Sequence, residues 1–364
     1  MEQSRPSLAE IARRARVSAM TVSRALRGQP GVAVELAARI RRLAASVGYR
    51  PNPLVQALMA QVRGGRVRRG TNVIAMLVPQ LEEPGWGHKE WVQRLIRGAE
   101  QRAATVGFRL EPFYWQRAEM ADKRIDEILQ ARGIRGVVVG PLARPGADLH
   151  LDWNRYAVAA IGATLAQPRL HRVRNHAFHS AQLAVARLRA AGCQRIGLAL
   201  SLLSGQRADQ LWQAGFLLAD HAQPPRARAA LIHQPPRLER DEFFAWFRRA
   251  RPDGLLLVEN LAYTWLREAR IPVPARVAVA QLNRNTEPAE LAGVDQHLEA
   301  VGAAAVDLVV ERLYHNEFGV PDRPKDVLIE GSWVAGTTVP PARAEKPLSR
   351  PSPRGRGAGS LRRA

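Results

Sequence analysis

Apolar positions in the first fifty residues recur every three to four places, the period of a helix packed on one side. Leu8, Ile11, Ala12 and Ala15 share one face, Val22, Ala25 and Leu26 a second, and Leu36, Ile40, Leu43 and Ala44 a third. The spacing predicts three short helices. The first opens on Ser7 with Glu10 three places on, a capping box in which hydroxyl and carboxylate satisfy free amides. The segment ARV reads as a tight turn. Ser18 caps the second helix, and Gly28 stops it. The third runs from about Val34 to Val47, with Arg39, Arg41 and Arg42 outside, and ends at Gly48.

From Thr71 on the pattern changes. NVIAMLVP, GVVVGP, YAVAAIG, RIGLAL, GLLLVE and VAVAQL are continuous apolar runs, as expected of parallel strands covered on both faces. Helical patterns lie between several of them, over Glu90–Val106, His179–Ala191, Ala208–His221 and Glu239–Ala250. Alternating strand and helix predicts a doubly wound α/β body, too long for one lobe, so two lobes with a cleft are expected.

Composition sharpens this division. Residues 1–70 hold fourteen Arg and three acids, a net of +11, and residues 341–364 carry +6, leaving +4 of the chain's +21 for everything between. A basic head on a nearly neutral body points to a polyanion as the head's partner. The single cysteine, Cys193, excludes a disulfide framework, suits a reducing cytoplasm, and reads as a small buried hydrophobe at a strand start. No signal peptide opens the chain and no apolar run reaches transmembrane length, so no membrane partner is expected. The tail, rich in Pro, Arg, Gly and Ser, cannot bury a core and is read as disordered. No Gly-rich phosphate fingerprint, Cys/His metal spacing or nucleophile elbow is present. The chain is not read as an enzyme, and no cofactor or metal is expected.

Two short helices joined by a tight turn, with a third behind, make a helix-turn-helix unit. On that reading VSAMTVSRAL exposes Ala19, Met20, Thr21, Ser23 and Arg24 toward base edges and phosphates. A three-helix bundle with a solvated basic face has the same periodicity. Residues 7–60 resemble the head of the LacI/GalR family of transcriptional regulators. The resemblance is carried by LAEIARRARVSAMTVSRAL, RIRRLAASVGYRPN and PLVQALMA, with Val17-Ser18, Thr21-Val22-Ser23-Arg24, Gly48-Tyr49 and Pro51-Asn52 in the family's order. It implies that Ala19, Met20 and Arg24 read bases and that Thr21 and Ser23 meet phosphate. With Ser7, Leu8, Ser18, Asn52 and Leu58 these form the expected DNA-binding set. Ala33 departs from the family's usual capping Ser or Thr. Pro53 to Gln61 is under three turns and has no core of its own, so it is marginal alone. In the family it is the hinge helix, which orders on DNA in the minor groove, with Leu58 at the position of its leucine wedge. The other reading makes Leu54 and Leu58 interior residues of a linker helix. The expected domains are a helix-turn-helix over 1–50, hinge helix and linker over 51–70, a two-lobed body over 71–340, and a basic tail over 341–364.

The resemblance also implies a periplasmic-binding-protein-like body that crosses between lobes near 172–176, 292–297 and 318–324, with a helix His297–Asn316 returning to the first lobe. Its cleft departs from the family. Trp212 replaces the Arg ahead of Ala214-Gly215-Phe216, Asn260-Leu261 replaces an Asn-Asp pair, Asn283 replaces an Asp, and His176 aligns with another Asp. Trp212 either stacks on a sugar face or fills the cleft as structure. The loop PQLEEPGWGHKEW, with Trp86 and Trp91, follows a strand's carboxyl end, where ligands of such sheets bind. It reads as a lid or platform, or as a solvated loop. His176 and His179 could share a face, and a helix start or interlobe contacts are the preferred reading. The expected effector set is Trp86, His176, Trp212, Asn260 and Asn283, which suits a neutral saccharide better than a phosphorylated one.

The whole reads as a cytoplasmic homodimer that binds a near-palindromic double-stranded operator, a repressor modulated by a small neutral carbohydrate-like effector. Two competing readings are a small-molecule binder with only nonspecific nucleic-acid attachment, and a constitutive regulator with a degenerate cleft.

Overall fold

The computed structural model describes residues 8–26, 32–46, 72–79, 85–115, 121–219, 224–284 and 288–342. Ser7, the hinge segment with Asn52 and Leu58, and nearly all of the basic tail lie outside them. The chain divides into a head within residues 1–69 and a body from Gly70 onward.

The head is three helices: α1 (Leu8–Ala15), α2 (Ala19–Leu26) and α3 (Val34–Ser46). Ile11, Ala12, Ala15, Val22, Ala25, Ala37, Ile40 and Ala44 form their common core, as the periodicity requires. Arg16 takes a left-handed conformation (φ 54°) in the turn. The Val17 amide donates back to the Ala12 carbonyl at 3.0 Å, so the chain reverses within three residues. The Ser18 hydroxyl accepts from the Thr21 amide at 3.1 Å and caps α2. Arg39 and Arg41 are exposed, yet both tie back: Arg39 donates to the Ala15 carbonyl at 2.6 Å and Arg41 to the Ala25 carbonyl at 3.2 Å. These cations meet orphan carbonyls at the carboxyl ends of α1 and α2, where the helix dipole is negative.

In the body the strands are β1 (Val73–Pro79), β2 (Arg109–Trp115), β3 (Gly136–Val139), β4 (Ala147–Asp148), β5 (Ala157–Ile161), β6 (Leu165–Gln167), β7 (His171–Asn175), β8 (Ile196–Ala199), β9 (Ile232–His233), β10 (Gly254–Leu257), β11 (Ala278–Gln281), β12 (Ala292–Asp295), β13 (Asp326–Ile329) and β14 (Ser332–Val334). The helices are α4 (Glu90–Thr105), α5 (Asp122–Ala131), α6 (Ala177–Ala190), α7 (Leu202–Arg207), α8 (Leu211–Ala219), α9 (Pro225–Ala229), α10 (Arg240–Ala250), α11 (Leu261–Glu268) and α12 (Leu298–His315). One lobe is built on a six-stranded sheet ordered β13-β7-β5-β3-β1-β2, parallel throughout. The other is ordered β14-β12-β11-β10-β8-β9, with only the β12–β14 pair antiparallel. All six apolar runs of the sequence are strands. Cys193 is buried ahead of β8.

The chain passes between lobes after β7, after β12 and between β13 and β14. The first two passages fall where the sequence places them. The third lies at 330–331, later than 318–324, because that stretch is a loop of the first lobe. Its Gly319 donates to the Tyr156 carbonyl at 3.0 Å and accepts from Arg312 at 2.8 Å. A helix expected from Ala208 begins instead at Leu211, since Asp209 and Gln210 both take left-handed backbone (φ 57° and 60°). α12 does return to the first lobe, packing so closely on α4 that a Cβ on Gly302 would lie 2.0 Å from the Leu95 carbonyl, and one on Gly98 2.0 Å from that of Glu299. Arg94 of α4, almost fully buried, clamps the same contact, donating to both Glu299 oxygens at 2.8 Å and to Asp295 at 3.1 Å.

Candidate functional site

Two surfaces carry chemistry. The first is α2 of the head. Capping by Ser18 sets its first turn, and burial of Val22 and Ala25 fixes its rotation. Met20 (55% exposed) and Arg24 are thereby left to solvent, four residues apart and so on one helix face. Thr21 is half-buried, its hydroxyl 2.9 Å from that of Ser18. No acid occupies the first turn, so the positive helix end is unopposed there. Ala19 opens α2, Ser23 lies in its middle, and Leu8 opens α1. A short exposed helix with one guanidinium and one apolar tip, on a three-helix support, has the dimensions and polarity of a major-groove reader.

The second is a cavity of about 180 Å³ between the two lobes of the body. It lies at the carboxyl ends of the parallel strands of both sheets, the place where open α/β sheets bind ligands. Pro141 and Leu142 follow β3, Arg174 and Asn175 end β7, Val258 follows β10, Asn283 and Arg284 follow β11, and Gln296 follows β12. Trp91 and Leu95 of α4, Ser204 and Arg207 of α7, Trp212 of α8 and Leu298 and Val301 of α12 complete most of the wall. Four polar atoms of residues in this lining are buried with no hydrogen-bond partner among the described residues: Arg174 Nε, Asn175 Nδ2, Trp212 Nε1 and Asn283 Oδ1. Buried polar groups are nearly always paired, and such orphans ordinarily have a ligand or water as partner. Two contacts join the lobes beside the cavity. Arg207 of the second lobe donates from Nε to the Ala143 carbonyl of the first at 2.7 Å, and Arg174 Nη1 reaches Asp209 at 3.3 Å.

Family models match the first surface and the part of the second that lies beyond residue 185. The model for bacterial regulatory proteins of the lacI family matches residues 7–52, and that for a periplasmic binding protein-like domain matches residues 185–339. The chain belongs to the LacI/GalR family. The HTH-type transcriptional regulator GntR of Pseudomonas aeruginosa is 46% identical over 77 residues, covering 21% of this chain and 20% of that one. The match therefore spans about a fifth of that relative's length. Among solved structures, a complex of the transcriptional regulator CelR with cellobiose has a TM-score of 0.54 at 19% identity, covering 92% of this chain and all of that one. The lac repressor dimer bound to operator and the anti-inducer ONPF has the same TM-score at 17% identity, over 93% of this chain and 100% of that one. A periplasmic binding protein/LacI transcriptional regulator from Alkaliphilus metalliredigens QYMF, complexed with D-xylulofuranose, gives 0.53 at 15% identity, over 74% and 99%. These likenesses establish the fold.

Within this LacI/GalR-type body the expected effector residues separate. Trp212 and Asn283 line the cavity. His176 does not; it caps α6, its Nδ1 accepting from the His179 amide at 3.3 Å. Asn260 does not either; it precedes α11 and accepts from Gln281 at 2.6 Å. Trp86 falls in a single-turn helix, Trp86–His88, and Trp91, in the first turn of α4, lines the cavity. The expectation of a neutral ligand rested on Trp212, Asn260, Leu261 and Asn283 replacing charged residues. Beside Trp212 and Asn283, three arginines, Arg174, Arg207 and Arg284, also line the cavity. Sequence reasoning missed them since none sits in an apolar run or a motif. The one available signal was position: Arg174 and Arg284 each lie within three residues of a strand's carboxyl end.

Proposed function

We propose that this chain is a sequence-specific DNA-binding transcriptional regulator, a repressor that acts as a homodimer on a near-palindromic operator and is modulated by a small saccharide-class effector. The observation that carries the reading is α2: Met20 and Arg24 exposed on one face of a capped helix, within the segment matched by the lacI-family model. Arg24 is the base-reading residue, a guanidinium being able to pair bidentately with guanine. Ser18, Thr21 and Ser23 position the helix on phosphate, and Ala19 leaves room beside Met20. Leu58 is assigned as the wedge of a hinge segment that opens a central base step. Two equal heads on a two-fold dimer call for two related half-sites.

The cavity supports the sensing half. Its 180 Å³ is below the range of about 300–1,000 Å³ that holds drug-sized ligands, so it suits one of monosaccharide size. Orphaned donors and an amide oxygen beside apolar walls match hydroxyls on a carbon ring. A ligand releases DNA only by binding one body conformation better than the other, and the contacts of Arg174 and Arg207 beside the cavity are ones a ligand can exchange.

Sequencing of DNA fragments bound by the purified full-length protein, with and without pooled carbohydrates, tests this. An inverted repeat depleted by the pool is expected. Fragments without inverted symmetry would overturn the dimeric, sequence-specific reading.

A further inference from the structure

Among the described residues, the lining of the cavity holds three guanidinium groups, those of Arg174, Arg207 and Arg284, and not one carboxylate. Arg174 is compensated: it pairs with Asp326 at 2.9 Å and with Asp209 at 3.3 Å, and Asp326 is shared with Arg172 at 2.7 Å. Arg284 is different. Its Nε donates to the Leu291 carbonyl at 2.8 Å and its Nη2 to the Ala289 carbonyl at 3.4 Å. These bonds hold the guanidinium in place and leave its charge unneutralised, with no carboxylate partner among the described residues. Arg207 donates from Nε to the Ala143 carbonyl at 2.7 Å. The unsatisfied atoms tell the same story. Three of the four orphans are donors (Arg174 Nε, Asn175 Nδ2 and Trp212 Nε1), against one acceptor, Asn283 Oδ1. An excess of buried donors beside fixed cations is complementary to a group that only accepts, and ionised oxyanions are of that kind.

We propose that the effector is an acid: a monosaccharide-sized polyol bearing one oxyanion, a carboxylate or a phosphomonoester, seated on Arg284 with Arg207 and Arg174 beside it. The inference rests on reading this cavity as the effector site. Asn175, Trp212 and Asn283 take the hydroxyls, and the apolar walls take the ring or chain face. The same arginines explain how a bound acid reaches the lobes. Arg207 and Arg174 make the two contacts that join the lobes beside the cavity, so an oxyanion drawing on their donors changes the relative stability of closed and open bodies.

The test is calorimetry on the full-length protein with neutral hexoses and pentoses, the aldonates and uronates derived from them, and hexose 6-phosphates. At least one acid is expected to bind ten or more times tighter than its neutral parent, and the carboxylate and phosphate arms identify the oxyanion. Loss of one charge-assisted contact in Arg284→Gln should weaken that acid roughly 10–100-fold, and Arg284→Lys should recover part of it. If Arg284→Gln does not fold by its melting curve, Arg207→Gln carries the same test. A neutral sugar bound as tightly as its acid, or an Arg284→Gln protein binding like the parent, would overturn the charge assignment and leave the effector reading standing. Silence across the whole panel would overturn both.

Discussion

The two functional surfaces are built in opposite ways. The one on the head is a single helix: Ser18, Met20, Thr21 and Arg24 lie within seven residues, and one cap and one buried stripe orient them all. The cavity of the body draws its walls from the ends of six strands and the faces of four helices, between Trp91 and Val301. The first is a local property of the chain and the second a property of two packed sheets. A change of side chain on α2 therefore acts on one contact, whereas the cavity answers to anything that shifts β7 against β11 or α7 against β3.

The harshest way to break this contrast is at Gly302. Its α-hydrogen faces the Leu95 carbonyl, and backbone cannot yield as a side chain can. Gly302→Val should cost about 3 kcal/mol, at the upper end for overpacking, and lower the body's melting midpoint by roughly 6–12 °C. Calorimetric melting should show the loss in the body's transition, with ligand binding lost alongside it. A midpoint within a degree of the parent would mean that α4 and α12 are looser than they stand here. Next is Arg24→Ala. If its guanidinium reads a base, specific affinity should fall by about 1–3 kcal/mol with random-sequence DNA little affected. Fluorescence anisotropy on both DNAs decides it, and equal losses would reassign Arg24 to phosphate.

Ser18→Ala is a smaller test of the same helix. It removes the acceptor for the Thr21 amide and should cost the head about 1 kcal/mol. Amide exchange at Thr21 and Val22 should quicken, while exchange in β1 and β10 stays as it was. Matching changes in the body would mean that the effect of the cap is not local to the head.

The mildest effect is on pH. Burial pushes His171 below its ordinary value of 6.5, with Arg312 and Lys325 adding to the shift, and its Nδ1 accepts from the Lys325 amide at 2.9 Å. Burial does the same to His233, helped by Arg249. A group whose pKa is lowered on folding contributes stability above its unfolded value and loses it as pH falls through the folded one. The body should thus soften from about pH 6.5 downward. A further loss should follow below about 4.5, where Glu299, held down by its hydrogen bond from Arg94, protonates. Melting curves from pH 8 to 2.5 should show both steps, with the upper one reduced in His171→Asn. A flat profile down to pH 5 would remove the histidines from the account.

Much of this was legible without coordinates. Helical periodicity and the Ser18 cap determined the head, because each of its helices buries one stripe and carries its own start signal. Six continuous apolar runs determined the inner strands, because parallel strands are covered on both faces. What the chain could not announce is polar or short. β7 (HRVRN) lacks an apolar run, and β13 (DVLI) at the sheet edge is only four residues long and alternates exposed and half-buried positions. The break between α7 and α8 lies in two left-handed residues, neither of them glycine. The cavity belongs wholly to tertiary structure. Whether an arginine after a strand faces solvent, a carboxylate or a ligand depends on which strand ends lie opposite it. Sheet order alone brings Arg174, Arg207 and Arg284, more than a hundred residues apart at the extremes, into one lining.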